Sequence, residues 1–360
     1  MIIHSQIKSL IKQKNHITVA EMMEYAISAV PGSYYQTQDK LGAQGDFTTA
    51  PEISQLFGEI IALWVIDKWY QMKCPNRINL VELGPGHGTL MRDLLNVAKL
   101  VPAFYQALTV ELIEINPHFI EKQQAALKQF SNTNSLMHLA RVQDIAKLPS
   151  LIIANEFCDS LPIKQYIKNK DLWYEVVVCL DSTNEQLKFD KLLINQMLQA
   201  NLLQTYSKAI EGAIVEESTQ SQDIIKFISQ HITLYGGASL IIDYGYDIKP
   251  NLRTSDQYPS TLQAVMDHQY CPVLENLGKA DLSSHVDFDK LKTIARDIGI
   301  KTKGTITQRD FLISNGILLR SQLLQNKLPN NQASIISRQV DRLTSATKMG
   351  LLFKVLCLYS

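Results

Sequence analysis

The hydrophobic positions near the start of the chain repeat at helical spacing. Ile3, Ile7 and Ile11 recur on one face of a helix. The run from Thr18 to Glu21 has the pattern of a capping box, which predicts that a second helix begins there. A strongly apolar segment from Ser54 to Tyr70 predicts a further, largely buried helix.

From Ile78 onward, short apolar runs alternate with helical segments. Alternation of this kind is typical of a parallel sheet that is covered by helices on both faces. The fold class that we expect is therefore α/β, with a Rossmann-like, mostly parallel, doubly wound sheet. The predicted strands cover residues 78–83, 108–113, 139–143 and 150–154, and the predicted helices cover residues 88–99 and 117–130.

The remaining segments are less regular. Residues 172–180 and 238–245 predict further strands, and the apolar run at 350–359 predicts the last one. Residues 246–289 are polar and without periodicity, which predicts a long functional loop. The domain division that we expect is N-terminal helices with a covering loop at 1–75, a core at 76–160 and 236–360, and an inserted small lobe at 161–235.

Composition excludes several classes of protein. Lys plus Arg and Asp plus Glu both number 35, so no net charge attracts nucleic acid or an anionic membrane. No run approaches the ~18 apolar residues of a membrane-spanning helix, and the N-terminus has no secretory signal pattern. The five cysteines form no C-x-x-C pair, so neither a disulfide framework nor a metal site is predicted. We expect an intracellular, soluble protein without membrane insertion.

The first candidate for chemistry is the turn Gly84-Pro85-Gly86-His87-Gly88, between a predicted strand and a predicted helix. Such turns bring backbone N–H groups close to a nucleotide-like cofactor. The spacing is G-x-G-x-G, which differs from the dinucleotide-binding G-x-G-x-x-G. An ordinary strand-to-helix turn would show the same pattern, so the glycines alone do not identify a ligand.

Three carboxylates surround this turn: Glu82 precedes it, Glu114 ends the second strand and Asp144 follows the third. A pyrophosphate beside Glu82 would be repelled by roughly 4 kcal/mol per charge pair at ~4 Å and an effective dielectric near 20. S-adenosylmethionine is cationic and carries no phosphate, so the same carboxylate attracts it. We expect Glu114 to bind the ribose hydroxyls and Asp144 to orient the adenine amino group. The alternatives are a Glu82 satisfied by backbone donors and an Asp144 that only caps a helix.

A second polar cluster, Asn155, Glu156 and Asp159, follows the predicted strand at 150–154. Ligands of open α/β sheets bind at the carboxyl ends of the strands. If the segment turns helically, Glu156 and Asp159 share a face. The two carboxylates could then grip a guanidinium and align it for attack on the sulfonium methyl. The alternative is that Asp159 caps a following helix.

These motifs, with their flanks, resemble the MidA family, which comprises mitochondrial complex I assembly-factor methyltransferases and their bacterial relatives. The resemblance implies a class I S-adenosylmethionine-dependent methyltransferase that acts on protein arginine. It further implies symmetric dimethylarginine on the 49-kDa-type subunit of NADH:ubiquinone oxidoreductase, a protein partner. The segments that carry the resemblance are residues 45–59, 82–90, 154–162 with Gln165, 261–264, 281–288, Gln308 with Phe311 and Leu312, and 349–355.

The resemblance also assigns residues. It implies a loop that covers the donor and helps to bind it. It makes residues 281–288 a second wall of the substrate cleft, where His285 is either a base or a solvated side chain. His87 departs from the family pattern, in which arginine is usual. The covering loop contributes Gly45, Asp46, Thr48, Pro51, Glu52 and Ser54, and the glycine turn contributes Gly84, Gly86 and Gly88.

Two other functions stay open at this point. One is an assembly scaffold for complex I that keeps the donor pocket without catalysis. The other is a nicotinamide-dependent oxidoreductase, which the loop spacing and Glu82 disfavour. Because the chain starts close to the family's first helices, we expect a bacterial cytoplasm rather than a mitochondrial matrix.

Overall fold

The structure is a computed structural model that describes residues 2–27, 32–34, 48–130, 135–183, 185–253 and 258–360. In chain order the helices are α1 (Ile2–Lys14), α2 (Val19–Ile27), α3 (Ala50–Ile53), α4 (Gln55–Gln71), α5 (Thr89–Ala98), α6 (Pro102–Ala107), α7 (Pro117–Leu127), α8 (Gln196–Thr205), α9 (Thr219–Tyr235), α10 (Phe288–Asp297), α11 (Gln308–Ser314), α12 (Ile317–Gln325), α13 (Asn330–Thr344) and α14 (Met349–Leu352). The strands are β1 (Ile17–Thr18), β2 (Ile78–Leu83), β3 (Leu108–Ile113), β4 (Leu136–Leu139), β5 (Ser150–Asn155), β6 (Lys164–Asn169), β7 (Leu172–Leu180), β8 (Leu187–Leu193), β9 (Ile214–Glu217), β10 (Gly237–Tyr246), β11 (Gln263–Met266), β12 (Gln269–Cys271), β13 (Asp281–Ser283), β14 (Val286–Asp287), β15 (Lys301–Thr307) and β16 (Phe353–Tyr359).

A mixed, mostly parallel sheet forms the centre of the fold. Its strand order is β15-β16-β10-β5-β2-β3-β4, and β14 pairs with the end of β10. Strands β4, β3, β2, β5 and β10 run parallel, whereas β16 is antiparallel to both of its neighbours. The predicted α/β class with a mostly parallel sheet is confirmed. The carboxyl ends of β2, β3 and β5 therefore lie side by side at one edge, where ligands bind in such sheets.

Apolar side chains of the central strands alternate between the two faces of the sheet, because successive strand residues point to opposite sides. Leu80 belongs to the core under α4 and α5, whereas its neighbour Val81 belongs to the core under α9 and α10. All six residues of β2 and of β5 are buried, which is typical of parallel strands covered by helices on both faces.

A second sheet, of order β1-β7-β6-β9 with β8 beside β7, lies outside the main sheet. Helices α1 and α2 share a core with β7 and with a three-stranded sheet of order β12-β11-β13. The capping box forms as predicted: Glu21 N donates to Thr18 Oγ1 at 3.1 Å and Thr18 N donates to Glu21 Oε2 at 2.8 Å. Helices α1 and α2 therefore pack against the second sheet and the three-stranded sheet, whereas α4 packs against the main sheet.

The predictions differ from the structure in four places, three in secondary structure and one in the domain division. The third strand is 136–139 rather than 139–143, and residues 142–144 form a 3-10 turn. The last strand starts at Phe353, because residues 349–352 are helical. Residues 246–289 are not a long loop; they contain β11 to β14. Helix α9 lies within the predicted lobe, yet Ile225, Ile228 and Ile232 pack in the core of the main sheet. The domain division otherwise stays a prediction.

Candidate active site

A cavity of about 490 Å³ opens at the carboxyl ends of β2, β3 and β5. One wall is the glycine turn, and a neighbouring wall is the segment that follows β5, since β2 and β5 are adjacent strands. Helix α3 and the start of α9 also contribute lining residues. The lining comes from residues within 49–52, 82–90, 113–119, 140–143 and 155–162, with Ile27, Gln220, Asp223 and Ile224.

The three glycines of the turn are needed for their backbone conformation, since their φ angles of +62°, +53° and +76° fall in the left-handed region. Gly84 and Gly86 line the cavity. Gly88 does not line it; this glycine starts α5, and a Cβ there would lie 3.3 Å from Cα of Gln123 on α7. Gly88 therefore serves the packing of two helices rather than contact with a ligand.

Glu82 lies at the base of the cavity and is only 3% exposed. Burial raises the pKa of its carboxyl to about 8, against one hydrogen bond from the backbone of Met91. Within the described residues, Glu82 Oε2 has no hydrogen-bond partner. A buried carboxylate oxygen without a partner costs free energy, which a cationic ligand can recover.

Glu114 follows β3 and lines the cavity, and its binding of the ribose stays a prediction. Its Oε1 accepts hydrogen bonds from the backbone of Ile115 and Asn116, both at 2.9 Å. The fully buried Gln123 donates from Nε2 to Glu114 Oε2 at 3.2 Å and to the carbonyl of Gly86 at 2.8 Å. Gln123 was not predicted, because in the sequence a residue on the buried face of α7 cannot be told from a packing residue.

Helix α3 joins the two walls of the cavity. On one side, Glu52 accepts a hydrogen bond from Thr89 Oγ1 at 2.6 Å and lies 3.4 Å from Nδ1 of His87. The hydrogen bond with His87 is the largest influence that lowers the pKa of Glu52. On the other side, Ala50 N donates to Glu156 Oε1 at 2.7 Å. Pro51 and Glu52 line the cavity as predicted, and Thr49 was missed.

Several residues predicted to bind the donor lie elsewhere. Asp144 is exposed, and its Oδ1 accepts a hydrogen bond from Nη2 of Arg141 at 2.9 Å. Asp144 does not line the cavity, whereas Arg141 and Gln143 do. Ser54 is the N-cap of α4: its hydroxyl accepts from Leu56 N and donates to Gln339. Thr48 is half-buried and outside the lining. Gly45 and Asp46 lie outside the described residues.

Glu156 is the carboxylate of the wall that follows β5. Its backbone has φ +50°, a left-handed conformation that is uncommon for a side chain of this kind and recurs at functional sites. Oε1 accepts from Ala50 N and, at 3.2 Å, from Nδ2 of Asn155. Burial, followed by the nearby charge of Asp159, raises the pKa of Glu156 to about 7. Asn155 Oδ1 is buried and without a hydrogen-bond partner in the described part of the chain.

Asp159 does not share a face with Glu156, because the left-handed Glu156 interrupts any helical turn. Asp159 is outside the cavity lining, and its backbone N–H donates a hydrogen bond to Asp243 Oδ2 at 3.2 Å. The prediction that both carboxylates face the acceptor together is wrong for this cavity. His285 is also outside it, with its ring 5.3 Å from that of Tyr244.

The residues present fit a cationic donor. Among the described residues, five carboxylates and one arginine, Arg141, line the cavity. The carboxylates are Glu52, Glu82, Glu114, Glu156 and Asp223. The ammonium and sulfonium of S-adenosylmethionine complement such a lining, whereas a pyrophosphate does not.

The comparisons with known proteins agree with this geometry. Residues 60–306 match the sequence profile of a family of S-adenosyl-L-methionine-dependent methyltransferases. The mitochondrial protein arginine methyltransferase NDUFAF7 of Danio rerio is 33% identical over 355 residues, which cover 93% of this chain and 81% of that protein. This chain belongs to the MidA family. It is an S-adenosylmethionine-dependent methyltransferase.

Other relatives extend the comparison. NDUFAF7 of Homo sapiens is 32% identical over 364 residues, covering 94% of this chain and 79% of that protein. A crystal structure from Burkholderia thailandensis with bound S-adenosyl-homocysteine superimposes with a TM-score of 0.85 at 20% identity, covering 100% of this chain and 92% of that one. This likeness shows that the whole MidA-type fold is shared.

The expected cytoplasmic location is wrong. The curated relatives from Danio rerio, Drosophila melanogaster, Homo sapiens and Caenorhabditis elegans are all named as mitochondrial proteins. Within the described residues, no helix is both long and apolar enough to cross a bilayer.

Proposed function

We propose that this MidA-family methyltransferase transfers methyl groups to arginine side chains of a protein. The observation that carries the proposal is the position of Glu156. Glu156 lines the same cavity as the glycine turn, and its carboxylate is held by Ala50 and Asn155. A guanidinium is always cationic in proteins, and it pairs well with a carboxylate in a site that excludes water.

The reaction also needs a place for one proton. S-adenosylmethionine, when bound, supplies a methyl group whose bond to sulfur breaks as the new N–CH3 bond forms. The attacked nitrogen then gives up a proton, since the methylated guanidinium keeps a single positive charge. Glu156 accepts that proton in our proposal. Its pKa of about 7 suits this task, because a base whose pKa lies near the working pH is efficient.

Glu82 and Glu114 take the donor side of the cavity. The unpartnered Oε2 of Glu82 supports a role in binding the cationic part of the donor. Glu114 is oriented by two backbone N–H groups and Gln123, which leaves a fixed carboxylate for the ribose hydroxyls. Asn155, whose Oδ1 lacks a partner in the described residues, acts beside Glu156 in orienting the acceptor.

The acceptor that we propose is the 49-kDa-type subunit of NADH:ubiquinone oxidoreductase, with symmetric dimethylarginine as the product. The names of the relatives support the arginine chemistry of those proteins. The choice of this acceptor and product is supported by the resemblance of the sequence motifs to the MidA family.

The test uses the purified chain, radiolabelled S-adenosylmethionine and the recombinant subunit. Label should appear in symmetric dimethylarginine after acid hydrolysis of the acceptor. Glu156→Gln should bind the donor as the wild type does and transfer little or no label. Donor binding without transfer by the wild type, together with assembly of complex I by Glu156→Gln in cells, would instead favour the scaffold function.

A further inference from the structure

Gln123 of α7 is fully buried and contacts two residues of the cavity lining without lining the cavity itself. Its Nε2 donates to the carbonyl of Gly86 at 2.8 Å and to Glu114 Oε2 at 3.2 Å, so both hydrogens of the amide are used. Its Oε1 lies 3.0 Å from Nε2 of His138 on β4. One buried side chain thus joins the glycine turn, the carboxylate after β3 and the neighbouring strand.

The two hydrogen bonds of Nε2 fix the orientation of the Gln123 amide. In the opposite orientation, Oε1 would face the Gly86 carbonyl and the Glu114 carboxylate, and both of these groups accept hydrogen bonds. Because Oε1 therefore faces His138, Nε2 of the histidine ring is the donor in that contact. Burial lowers the pKa of His138, which favours the neutral ring with its hydrogen on Nε2.

The hydrogen bonds of Glu114 leave one of its oxygens available to a ligand. Oε1 already accepts two hydrogen bonds, from the backbone of Ile115 and Asn116. Oε2 accepts one from Gln123 in the described part of the chain, and a carboxylate oxygen can accept a second. The oxygen that Gln123 contacts is therefore the one with capacity for a hydroxyl of the donor.

We infer that Gln123, supported by His138, is a positioning residue that holds Glu114 Oε2 in place for a ribose hydroxyl of the donor. This inference rests on the proposed role of Glu114 in binding the ribose. A side chain that is fixed before the ligand arrives loses less conformational entropy on binding, so the hydrogen bond contributes more to affinity. The bond to the Gly86 carbonyl gives the carboxylate and the glycine turn a common anchor.

The experiment measures the binding of two ligands by isothermal titration calorimetry. They are S-adenosylhomocysteine and its dideoxy analogue, which lacks both ribose hydroxyls. The wild type should bind the analogue more weakly. Gln123→Met, a residue of similar size, should bind S-adenosylhomocysteine about tenfold more weakly than the wild type does, the value of one hydrogen bond to a charged group. Its affinity for the analogue should equal that of the wild type, because the analogue makes no use of Oε2.

Two further variants complete the comparison. Gln124→Met is the matched control, since Gln124 is exposed on the same helix, and it should bind both ligands as the wild type does. His138→Phe removes the hydrogen bond to Gln123 Oε1 from a half-buried position. It should weaken S-adenosylhomocysteine about threefold and leave the analogue unaffected, because Gln123 keeps its other two bonds. This variant decides the question if Gln123→Met does not fold.

The ligand pair separates positioning from packing. Equal losses of affinity for the two ligands in Gln123→Met would show that Gln123 serves packing alone and would overturn the inference. Unchanged binding of S-adenosylhomocysteine by His138→Phe would overturn the supporting role of His138. A wild type that binds both ligands with equal affinity would instead refute the proposed role of Glu114 in ribose binding.

Discussion

Gly84 and Phe157 pack against each other in the lining of the active-site cavity. A Cβ added at Gly84 would lie 2.8 Å from Cδ2 of Phe157, a distance at which one of the two must move. Gly84 belongs to the turn after β2, and Phe157 follows Glu156 after β5. The donor side and the acceptor side of the cavity, some seventy residues apart in sequence, therefore form a single packed unit.

Gly84→Ala should destabilise the protein and weaken donor binding. The substitution meets Phe157 and also places a side chain at φ +62°, so we expect a loss of about 1–3 kcal/mol in the free energy of unfolding. Gly212→Ala is the matched control, because that glycine has φ +79° with no atom within 4 Å of the added Cβ. Urea unfolding should show the smaller loss for Gly212→Ala. Equal losses would mean that the contact with Phe157 is unimportant.

Glu82→Gln should weaken donor binding about 10- to 100-fold, because a hydrogen bond between the donor and a charged carboxylate contributes about 1.5–3 kcal/mol. Isothermal titration calorimetry measures this directly. Binding by the wild type at neutral pH should also release a proton from Glu82, which calorimetry in two buffers of different ionisation enthalpy detects. An unchanged dissociation constant would remove Glu82 from the donor site.

The stability of the ligand-free protein should depend on pH through Glu82. Its folded-state pKa of about 8 lies above the ordinary value of 4.5, so the folded state binds the proton more tightly than the unfolded state. Stability should therefore fall as pH rises between those two values. In Glu82→Gln this contribution disappears, so melting temperatures measured across the window should fall less steeply than in the wild type. Parallel curves would contradict the assignment.

Gln143 and Asp144 should differ in their effect on the donor. Gln143→Ala should weaken binding by roughly 2- to 10-fold, the value of one neutral hydrogen bond. Asp144→Asn should leave the affinity unchanged, because Asp144 pairs with Arg141 at the surface. Fluorescence titration with S-adenosylhomocysteine compares the two. A larger loss for Asp144→Asn would restore the original prediction for the adenine.

Methyl transfer should decline on the acid side with a midpoint near the pKa of Glu156, about 7. The ionised carboxylate is the form that pairs with the guanidinium and accepts its proton, so activity is present above this pH and lost below it. Initial rates at saturating donor, measured at a series of pH values, give the midpoint. A rate that is independent of pH across this range would exclude Glu156 as the proton acceptor.

The sequence predicted the longer apolar strands best. β2 and β3 of the main sheet and β7 of the second sheet have the predicted ends, because each is a mainly apolar run bounded by polar residues. The strands in residues 246–289 were missed, since each has only two to four residues, too few to show an alternating pattern. Of the site, Glu82, Glu114 and Glu156 could be placed from their positions after or within strands.

The sequence does not show which side chains of a loop face the cavity. Asp144 was predicted to orient the adenine because it is a carboxylate after the third strand, but it lies in a 3-10 turn and pairs with Arg141 instead. Asp159 was paired with Glu156 on the assumption of a helical turn, which the left-handed φ of Glu156 prevents. Side-chain direction in such segments depends on backbone angles and tertiary contacts that no spacing rule contains.

The most direct test of this account is a crystal structure with S-adenosylhomocysteine and an arginine-containing peptide of the acceptor. We predict that the amino-acid part of the cofactor lies near Glu82, that its ribose contacts Glu114, and that the guanidinium pairs with Glu156 on the line from the sulfur. A cofactor sulfur directed away from Glu156, or a guanidinium bound elsewhere, would contradict the account.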